Sequence, residues 1–210
     1  MTQPDVPTGP DASGRETRGA DYTQRLVGLQ TVWWKRVLPV QAPYRWNARR
    51  LRLGRVLDVG CGLGRNLEHL DGNGVGIDHN ADFVAHARSK GLVAYTTEEF
   101  PASPDAVPDA FDAMMLAHVV EHVDERTADE ILATYLPYVR PGGAVHVITP
   151  QERGQASDPT HVRFCDFVVV EDLLRRHGMT IERSYSFPFP RWAGKAFVYN
   201  EFNVVGRLPA

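Results

Sequence analysis

The sequence predicts an α/β fold in which a mostly parallel sheet is covered by helices on both faces. Two observations predict it. A glycine-rich turn directly follows a short apolar run near residue 56. Further apolar runs then alternate with segments of helical pattern, and we predict strands at 55–59, 74–78, 92–96, 112–117 and 143–149. Short, continuously apolar strands separated by helices are typical of parallel sheets that are buried on both sides.

The segments between these strands predict helices. We place them at 63–70, 80–90 and 125–139, with a short helical turn at 118–123 and a further helix at 165–177. The Pro141-Gly142-Gly143 sequence is expected to end the third helix before its strand begins. Two extended segments, 180–187 and 196–206, then follow without a helix between them. They predict an antiparallel hairpin.

The length of 210 residues is ample for one domain and short for two. Residues 1–20 are polar and rich in Pro, Gly and Asp, which predicts a disordered tail. We interpret residues 21–210 as a single domain, with a helical cap at 21–51 and the sheet-containing core at 52–210. The cap is predicted to hold one helix ending at Pro39 and a second at Ala42–Leu51.

Composition argues against several classes of protein. The formal net charge of −3 gives no support for a nucleic-acid-binding face. The two cysteines, Cys61 and Cys165, form no metal-binding motif and no disulfide framework, so a reducing cytoplasm fits best. Neither a secretory signal nor an apolar run of membrane-spanning length is visible. We therefore expect a cytoplasmic protein without nucleic-acid or membrane partners, while its oligomeric state stays open.

The glycine turn predicts a nucleotide-type ligand site. Gly60, Gly62 and Gly64 allow the backbone to turn tightly and to approach a ligand without Cβ atoms in the way. Asp78 ends the next predicted strand, twenty residues after Asp58. An acid at that position can accept hydrogen bonds from a ribose diol.

The same logic serves dinucleotide-binding folds, so a nicotinamide-dependent oxidoreductase is one alternative function. Its fingerprint is G-x-G-x-x-G, whereas the third glycine here comes one residue earlier. Asp58 also lies within the strand that precedes the turn. A carboxylate there suits a cationic amino group and would repel a pyrophosphate.

Four stretches resemble, in order, the motifs of class I S-adenosylmethionine-dependent methyltransferases, of the small-molecule type found in ubiquinone biosynthesis. They are VLDVGCGLGRNL at 56–67, GVGIDHN at 74–80, FDAMMLAHVVEHV at 111–123 and LPYVRPGGAVHVITP at 136–150. The resemblance implies a Rossmann-like, seven-stranded mixed sheet whose last strand is antiparallel, with helices on both faces. It also implies S-adenosyl-L-methionine as the cofactor.

The resemblance further implies which residues contact that cofactor. The methionine end would be lined by the glycine turn, the ribose held by Asp78, and the adenine flanked by the residues that follow the second and third strands. The match after the third strand is loose, because Thr-Thr-Glu-Glu replaces the usual acid. The full predicted set is Asp58, Gly60, Cys61, Gly62, Asp78, His79, Thr97, Glu98 and His118.

A histidine cluster follows the fourth predicted strand. His118, Glu121 and His122 would share one face of a helix, at the edge where a methyl acceptor should approach. His161 lies on a later, Pro-containing loop and is the better candidate for a general base, with His122 as a second catalytic candidate. The H-x-x-E-H spacing also matches a zinc-peptidase pattern, but a strand inside a cofactor-binding sheet is the wrong context for it.

Three roles stay open for Glu121 and His122: structural anchoring, proton transfer and metal ligation. Some ubiquinone-pathway and small-RNA O-methyltransferases use a similar Glu-His pair and a later histidine to hold a divalent cation. His118 stands where those enzymes usually have an acid, which disfavours magnesium. The resemblance therefore allows a divalent metal, but we do not expect one.

The predicted function is S-adenosylmethionine-dependent methyl transfer to a small-molecule acceptor, with O-methylation favoured over N- or C-methylation because of the histidines. Aromatic and arginine side chains near Trp46 and between Phe189 and Trp192 suit a flat or anionic acceptor. Besides the oxidoreductase, a second alternative is a module that binds the cofactor without transferring the methyl group.

Overall fold

A computed structural model of the chain describes residues 41–210. The predicted tail at 1–20 and the predicted helix that ends at Pro39 lie outside the described residues. The strands are β1 (Val56–Val59), β2 (Gly74–Asp78), β3 (Ala94–Thr96), β4 (Phe111–Ala117), β5 (Val139–Pro150), β6 (Thr180–Phe187) and β7 (Glu201–Arg207). The α-helices are α1 (Ala42–Arg50), α2 (Arg65–His69), α3 (Ala81–Ser89), α4 (Glu125–Tyr135), α5 (Glu152–Gln155) and α6 (Phe167–Arg176). Short 3₁₀ helices cover Phe100–Ala102, Val120–His122, Leu136–Tyr138 and Arg191–Lys195.

The seven strands form one sheet in the order β3-β2-β1-β4-β5-β7-β6. Strands β1 to β5 are parallel, and β7 runs antiparallel to both β5 and β6. The predicted Rossmann-like mixed sheet and its terminal hairpin are therefore confirmed. The chain order reverses between β1 and β4, and ligands of open α/β sheets bind at such a switch point, beyond the carboxyl ends of the strands.

The helices cover both faces of the sheet, as predicted. On one face, Leu132 of α4 and Leu173 of α6 are buried in the same cluster as Leu57 of β1. On the other face, α3 buries Val84 and Ala87 against β3. Burying each leucine side chain contributes roughly 1.5–3 kcal/mol to folding, so this apolar layer holds the strand ends in place.

Three helices begin at a side-chain cap. The Asn80 side chain accepts a hydrogen bond from Asp82 N at 3.0 Å and so begins α3 directly after β2. Asp124 caps α4, and Asp166 caps α6. Such caps satisfy backbone N–H groups that a helix leaves free at its start.

Every helical segment predicted after residue 52 is shorter than expected, and two of these differences have a clear physical reason. The helix predicted at 125–139 ends at Tyr135 and continues only as the 3₁₀ turn Leu136–Tyr138, because Pro137 has no N–H to donate to the helix. The helical turn predicted at 118–123 covers only Val120–His122. His118 is excluded from it because its φ of 58° lies in the left-handed region.

Two strand boundaries also differ. Strand β5 begins at Val139 instead of residue 143, and the irregular pairing with β4 absorbs the proline-glycine segment inside the strand. Strand β7 begins at Glu201 instead of residue 196. The preceding residues form a loop whose carbonyl groups accept hydrogen bonds from the Asn200 side chain.

Between residues 41 and 210, no helix is both long enough and apolar enough to cross a membrane.

Candidate active site

The glycine turn lies at the carboxyl end of β1, at the switch point. Gly60, Gly62 and Gly64 have φ values of 75°, 52° and 79°, which side chains rarely tolerate. A Cβ atom at Gly60 would lie 2.4 Å from Val119 Cγ2, so that glycine is needed for packing. A Cβ at Gly62 would have no atom within 4 Å, which leaves open space above the turn. A ligand can therefore approach the backbone at Gly62.

Asp58 is fully buried beneath this turn, and neither carboxylate oxygen has a hydrogen-bond partner. Burial, together with the neighbouring charge of Asp78, raises the pKa of Asp58 to about 7, although Arg65 opposes the shift. An unpaired buried carboxylate costs free energy unless a ligand compensates it. The amino group of a methionine moiety would supply the missing cation, so the chemistry of the site fits this cofactor.

Asp78 ends β2 and is also buried. Its Oδ2 accepts a hydrogen bond from Gly62 N at 2.8 Å, and its Oδ1 accepts one from Asn80 N at 2.9 Å. Burial raises the pKa of Asp78, and these hydrogen bonds oppose the shift. Each oxygen keeps a second lone pair, so the predicted ribose contact stays a prediction. His79 lies beside it, with Nδ1 3.6 Å from Asp78 Oδ1.

The remaining predicted cofactor residues differ in how deeply they are buried. The Cys61 side chain is buried under the turn, where a Cβ on Gly76 would lie 2.6 Å from its Sγ. Burial raises the pKa of its thiol, so we assign no chemistry to it. Thr97 follows β3, and its N donates to Asp78 O at 3.2 Å, which holds the end of β3 beside β2. Glu98 is exposed at the same edge. Their predicted contacts with the adenine stay predictions.

His118 does not present a free imidazole. Its Nδ1 lies 3.1 Å from Glu121 Oε1, and its Nε2 lies 3.0 Å from Glu201 Oε1. Burial disfavours the charged ring, but the hydrogen bonds and charges of the two carboxylates outweigh it and raise the pKa of His118 to about 10. The expected common helix face for His118, Glu121 and His122 is wrong, since His118 lies outside the 3₁₀ turn. Its predicted place near the cofactor's methyl group stays a prediction.

His122 and His161 come together from different segments. Their ring centroids are 4.7 Å apart. The loop carrying His161 is held against the 3₁₀ turn, because Val162 N and Arg163 N both donate to Glu121 O, at 2.9 and 3.2 Å. Burial lowers the pKa of His122, although the charge of Glu121 opposes the shift.

The hydrogen bonds determine which nitrogen of each ring carries the proton. His161 Nδ1 lies 3.0 Å from Gln155 O, which can only accept, so Nδ1 donates. The Thr160 hydroxyl donates to Asp158 Oδ1 at 2.7 Å and has no proton left for His122. His122 Nδ1 therefore donates to the carbonyl and hydroxyl oxygens of Thr160, at 3.2 and 3.1 Å. In the neutral form, Nε2 of each ring is then a lone-pair acceptor.

Glu121, His122 and His161 form the acceptor cluster: one ligand atom of each residue lies within 4.8 Å of the others. Glu121 is fully buried, and its Oε2 has no hydrogen-bond partner. A buried carboxylate and two imidazoles thus converge. Such a group favours an incoming proton or a cation. The two imidazoles and the carboxylate also fit a divalent metal, since each Nδ1 is anchored by a backbone carbonyl group.

Sequence reasoning missed the residues that orient this cluster. Gln155 and Thr160 supply the carbonyl groups that select the tautomers, and Glu201 binds His118. Every residue has a backbone carbonyl group, so the sequence does not reveal which of them will bind a histidine. Glu201 follows a loop whose path cannot be predicted from the sequence. Glu201 would be visible only from the pairing of β7 with β5.

An exposed aromatic surface lies on a loop that ends next to the site. The loop between β6 and β7 exposes Phe189 and Trp192, with 50% and 74% of their surface accessible. Phe189 contacts the partly exposed Phe197, with ring centroids 5.3 Å apart. Glu201, which directly follows this loop, contacts His118. Arg191 is not free there, since it forms a double hydrogen bond with Glu152.

Comparison with solved structures finds the same fold in methyltransferases. A protein from Archaeoglobus fulgidus described as a SAM-dependent methyltransferase is 18% identical, aligns over 78% of this chain and 92% of its own, and gives a TM-score of 0.62. The N-methyltransferase NodS from Bradyrhizobium japonicum WM9 is 17% identical, with 82% and 98% coverage and a TM-score of 0.61. The [4+2]-cyclase SpnF is 21% identical, with 75% coverage of both chains and a TM-score of 0.53.

No curated protein matches the sequence. The family model described as a methyltransferase domain, however, matches residues 35–184, which is most of the chain. This match decides between the sulfonium cofactor and the nicotinamide cofactor that the glycine turn had left open. The chain belongs to the methyltransferase-domain family and is a class I S-adenosylmethionine-dependent methyltransferase.

Proposed function

We propose that this methyltransferase acts on a hydroxyl group of a small, flat acceptor and that the acceptor cluster takes up the hydroxyl proton. The observation that carries the proposal is the convergence of the buried Glu121 carboxylate with the imidazoles of His122 and His161. A neutral amine or a carbanion acceptor would need little base catalysis, whereas a hydroxyl oxygen becomes a good nucleophile only when its proton is removed.

The residues of the chain have distinct roles in this proposal. Asp58 binds the cationic amino group of the cofactor, and Asp78 the ribose. His161 Nε2 is the base, because its Nδ1–H is fixed by Gln155 O and the ring is partly exposed on its loop. When bound, S-adenosylmethionine supplies the methyl carbon: the S–C bond breaks toward sulfur as the O–C bond forms, and the hydroxyl proton passes to His161. Alignment supplies much of the remaining rate enhancement.

The aromatic surface supports a small, flat acceptor. Exposed rings beside a site bury flat apolar groups efficiently and order few rotatable bonds.

A second candidate for the acceptor cluster is a divalent cation that lowers the pKa of the bound hydroxyl. The anchored Nδ1 atoms and the unpartnered Glu121 Oε2 favour it, because they match the donor set of mixed imidazole–carboxylate metal sites. His118, which stands where related enzymes usually have an acid, is not part of this cluster, so its presence does not argue against a metal.

The proposed function is tested by two measurements. Calorimetric titration should show binding of S-adenosylmethionine and none of NADH or NADPH. Transfer of a radiolabelled methyl group into extracts of the source organism should label a small molecule through an alkali-stable ether. Labelling of an amine nitrogen or a carbon would contradict O-methylation, and cofactor binding without any labelling would favour a non-catalytic module.

A further inference from the structure

The contacts of His118 extend the site to Glu201, at the start of β7. Glu201 pairs with Pro150, the last residue of β5, and so lies at the same edge of the sheet as the end of β4. Its side chain is largely buried, with 13% of its surface exposed. None of the four motif stretches includes this residue. It nevertheless makes the contact with His118 Nε2 at 3.0 Å.

The two contacts of His118 determine its hydrogen-bonding state. A carboxylate oxygen can only accept, so a ring that faces carboxylates with both nitrogens must donate from both. The His118 ring therefore bridges Glu201 and Glu121 through both of its nitrogens. Charge-assisted hydrogen bonds of this kind are stronger than neutral ones. They also compensate for the left-handed backbone conformation of His118, which a non-glycine residue adopts only when its surroundings hold it.

This bridge determines how Glu121 meets the acceptor cluster. Glu121 is fully buried, and its Oε1 is occupied by His118, while its Oε2 has no hydrogen-bond partner. His118 thus occupies one carboxylate oxygen of Glu121 and limits the orientations that this side chain can adopt beside His122 and His161.

We propose that Glu201 is a positioning residue for methyl transfer: by holding the His118 side chain, it keeps the Glu121 carboxylate directed at His122 and His161. The inference rests on the proposed function, since it concerns the same cluster. Glu201 acts through His118 and does not touch the reacting atoms in this arrangement.

The first test does not need the acceptor. Diethyl pyrocarbonate modifies a ring nitrogen that has a free lone pair, and mass spectrometry locates the adduct. In the wild-type protein, His118 should stay unmodified although 34% of its side chain is exposed, while the partly exposed His86 reacts. In Glu201→Ala, His118 should react at a rate comparable with that of His86. Modification of His118 in the wild-type protein would overturn the inference, whatever the enzyme methylates.

The second test measures turnover with the labelled acceptor. Glu201→Ala should lower kcat on the order of tenfold, as loss of an orienting partner does, while the KM for S-adenosylmethionine changes less than about twofold. Glu201→Gln keeps the shape and should be intermediate. The control Glu182→Ala removes a carboxylate from neighbouring β6, where it pairs with Arg207 Nε at 3.1 Å, and should leave kcat unchanged.

Unchanged kcat in Glu201→Ala would overturn the positioning role. A rise in the KM for S-adenosylmethionine equal to the fall in kcat would also contradict it, because that pattern indicates a disordered sheet edge. Absence of turnover in the wild-type protein would count against the proposed function, and the chemical modification experiment would still decide whether Glu201 holds His118.

Discussion

The ring centroids of His122 and His161 lie 4.7 Å apart. The Nδ1 atom of His122 is fixed by the carbonyl group of Thr160, in the loop between α5 and α6, and the Nδ1 atom of His161 is fixed by that of Gln155, in α5. One nitrogen of each ring also lies within 4.8 Å of a carboxylate oxygen of the buried Glu121. Such an arrangement favours the uptake of a proton or a cation over a purely structural role. It leads to the first two predictions.

His161→Gln should leave cofactor binding intact and lower turnover by about 10²-fold, as expected for loss of a general base. Calorimetry measures the binding, and labelled methyl transfer measures the turnover. The matched control is His86→Gln, on the partly exposed surface of α3. A His161→Gln enzyme as fast as the control would remove the catalytic role of His161.

Treatment with EDTA, followed by gel filtration, should leave turnover undiminished if His161 acts as the base. The physical reason is that an imidazole accepts the proton directly and needs no Lewis acid. Activity that disappears with EDTA and returns with Zn²⁺ or Mn²⁺ would support the cation instead, and would assign Glu121, His122 and His161 as its ligands.

Asp58→Asn should weaken S-adenosylmethionine binding at least about tenfold, because a hydrogen bond to a buried charge contributes about 1.5–3 kcal/mol. In the wild-type protein, affinity should also fall as the pH drops below about 7, since protonated Asp58 no longer attracts the amino group. Calorimetry between pH 6 and pH 8 checks both effects. Equal affinity of the variant and the wild type would contradict the assignment of Asp58.

The same substitution should stabilise the apoprotein at high pH. The pKa of Asp58 is about 7 in the folded protein, whereas an aspartate in an unfolded chain has its ordinary pKa of 3.8. The folded state therefore binds this proton more tightly than the unfolded state. Stability is therefore lost as the pH rises from about 4 to 7. Asp58→Asn should raise the free energy of unfolding by up to about 4 kcal/mol at pH 8 and much less at pH 4.5. Urea denaturation at the two pH values tests the difference.

His146 predicts the opposite pH dependence. It is fully buried on β5, where burial lowers its pKa to about 4, although a hydrogen bond with Asn203 opposes the shift. The unfolded state then binds the proton more tightly, so stability is lost as the pH falls from 6.5 to 4, by up to about 3 kcal/mol. In His146→Leu, urea denaturation at pH 7 and pH 4.5 should show this loss reduced. An identical loss in the variant would contradict the assignment.

The fold and the cofactor side of the site could be predicted from the sequence because their signals are local. Apolar runs of strand length fix which segments are buried on both faces, and the turn after Val59 needs glycine at 60 and 62 to adopt positive φ. Asp58 and Asp78 sit at fixed offsets from those glycines, so their places at the strand ends follow from the motif. The ends of the strands were predicted less accurately. The start of β5, for example, depends on its irregular pairing with β4, which the local sequence does not reveal.

The tertiary structure alone decided how the acceptor side works. Whether His118 is a free base or a bridging cation depends on Glu201, which reaches it only because β7 enters the sheet antiparallel beside β5. The tautomers of His122 and His161 depend on the backbone carbonyl groups of Thr160 and Gln155. Since every residue has such a group, no sequence pattern marks these two. Local backbone preferences are encoded in neighbouring residues, whereas hydrogen bonds between distant side chains form only after the sheet has brought their strands together.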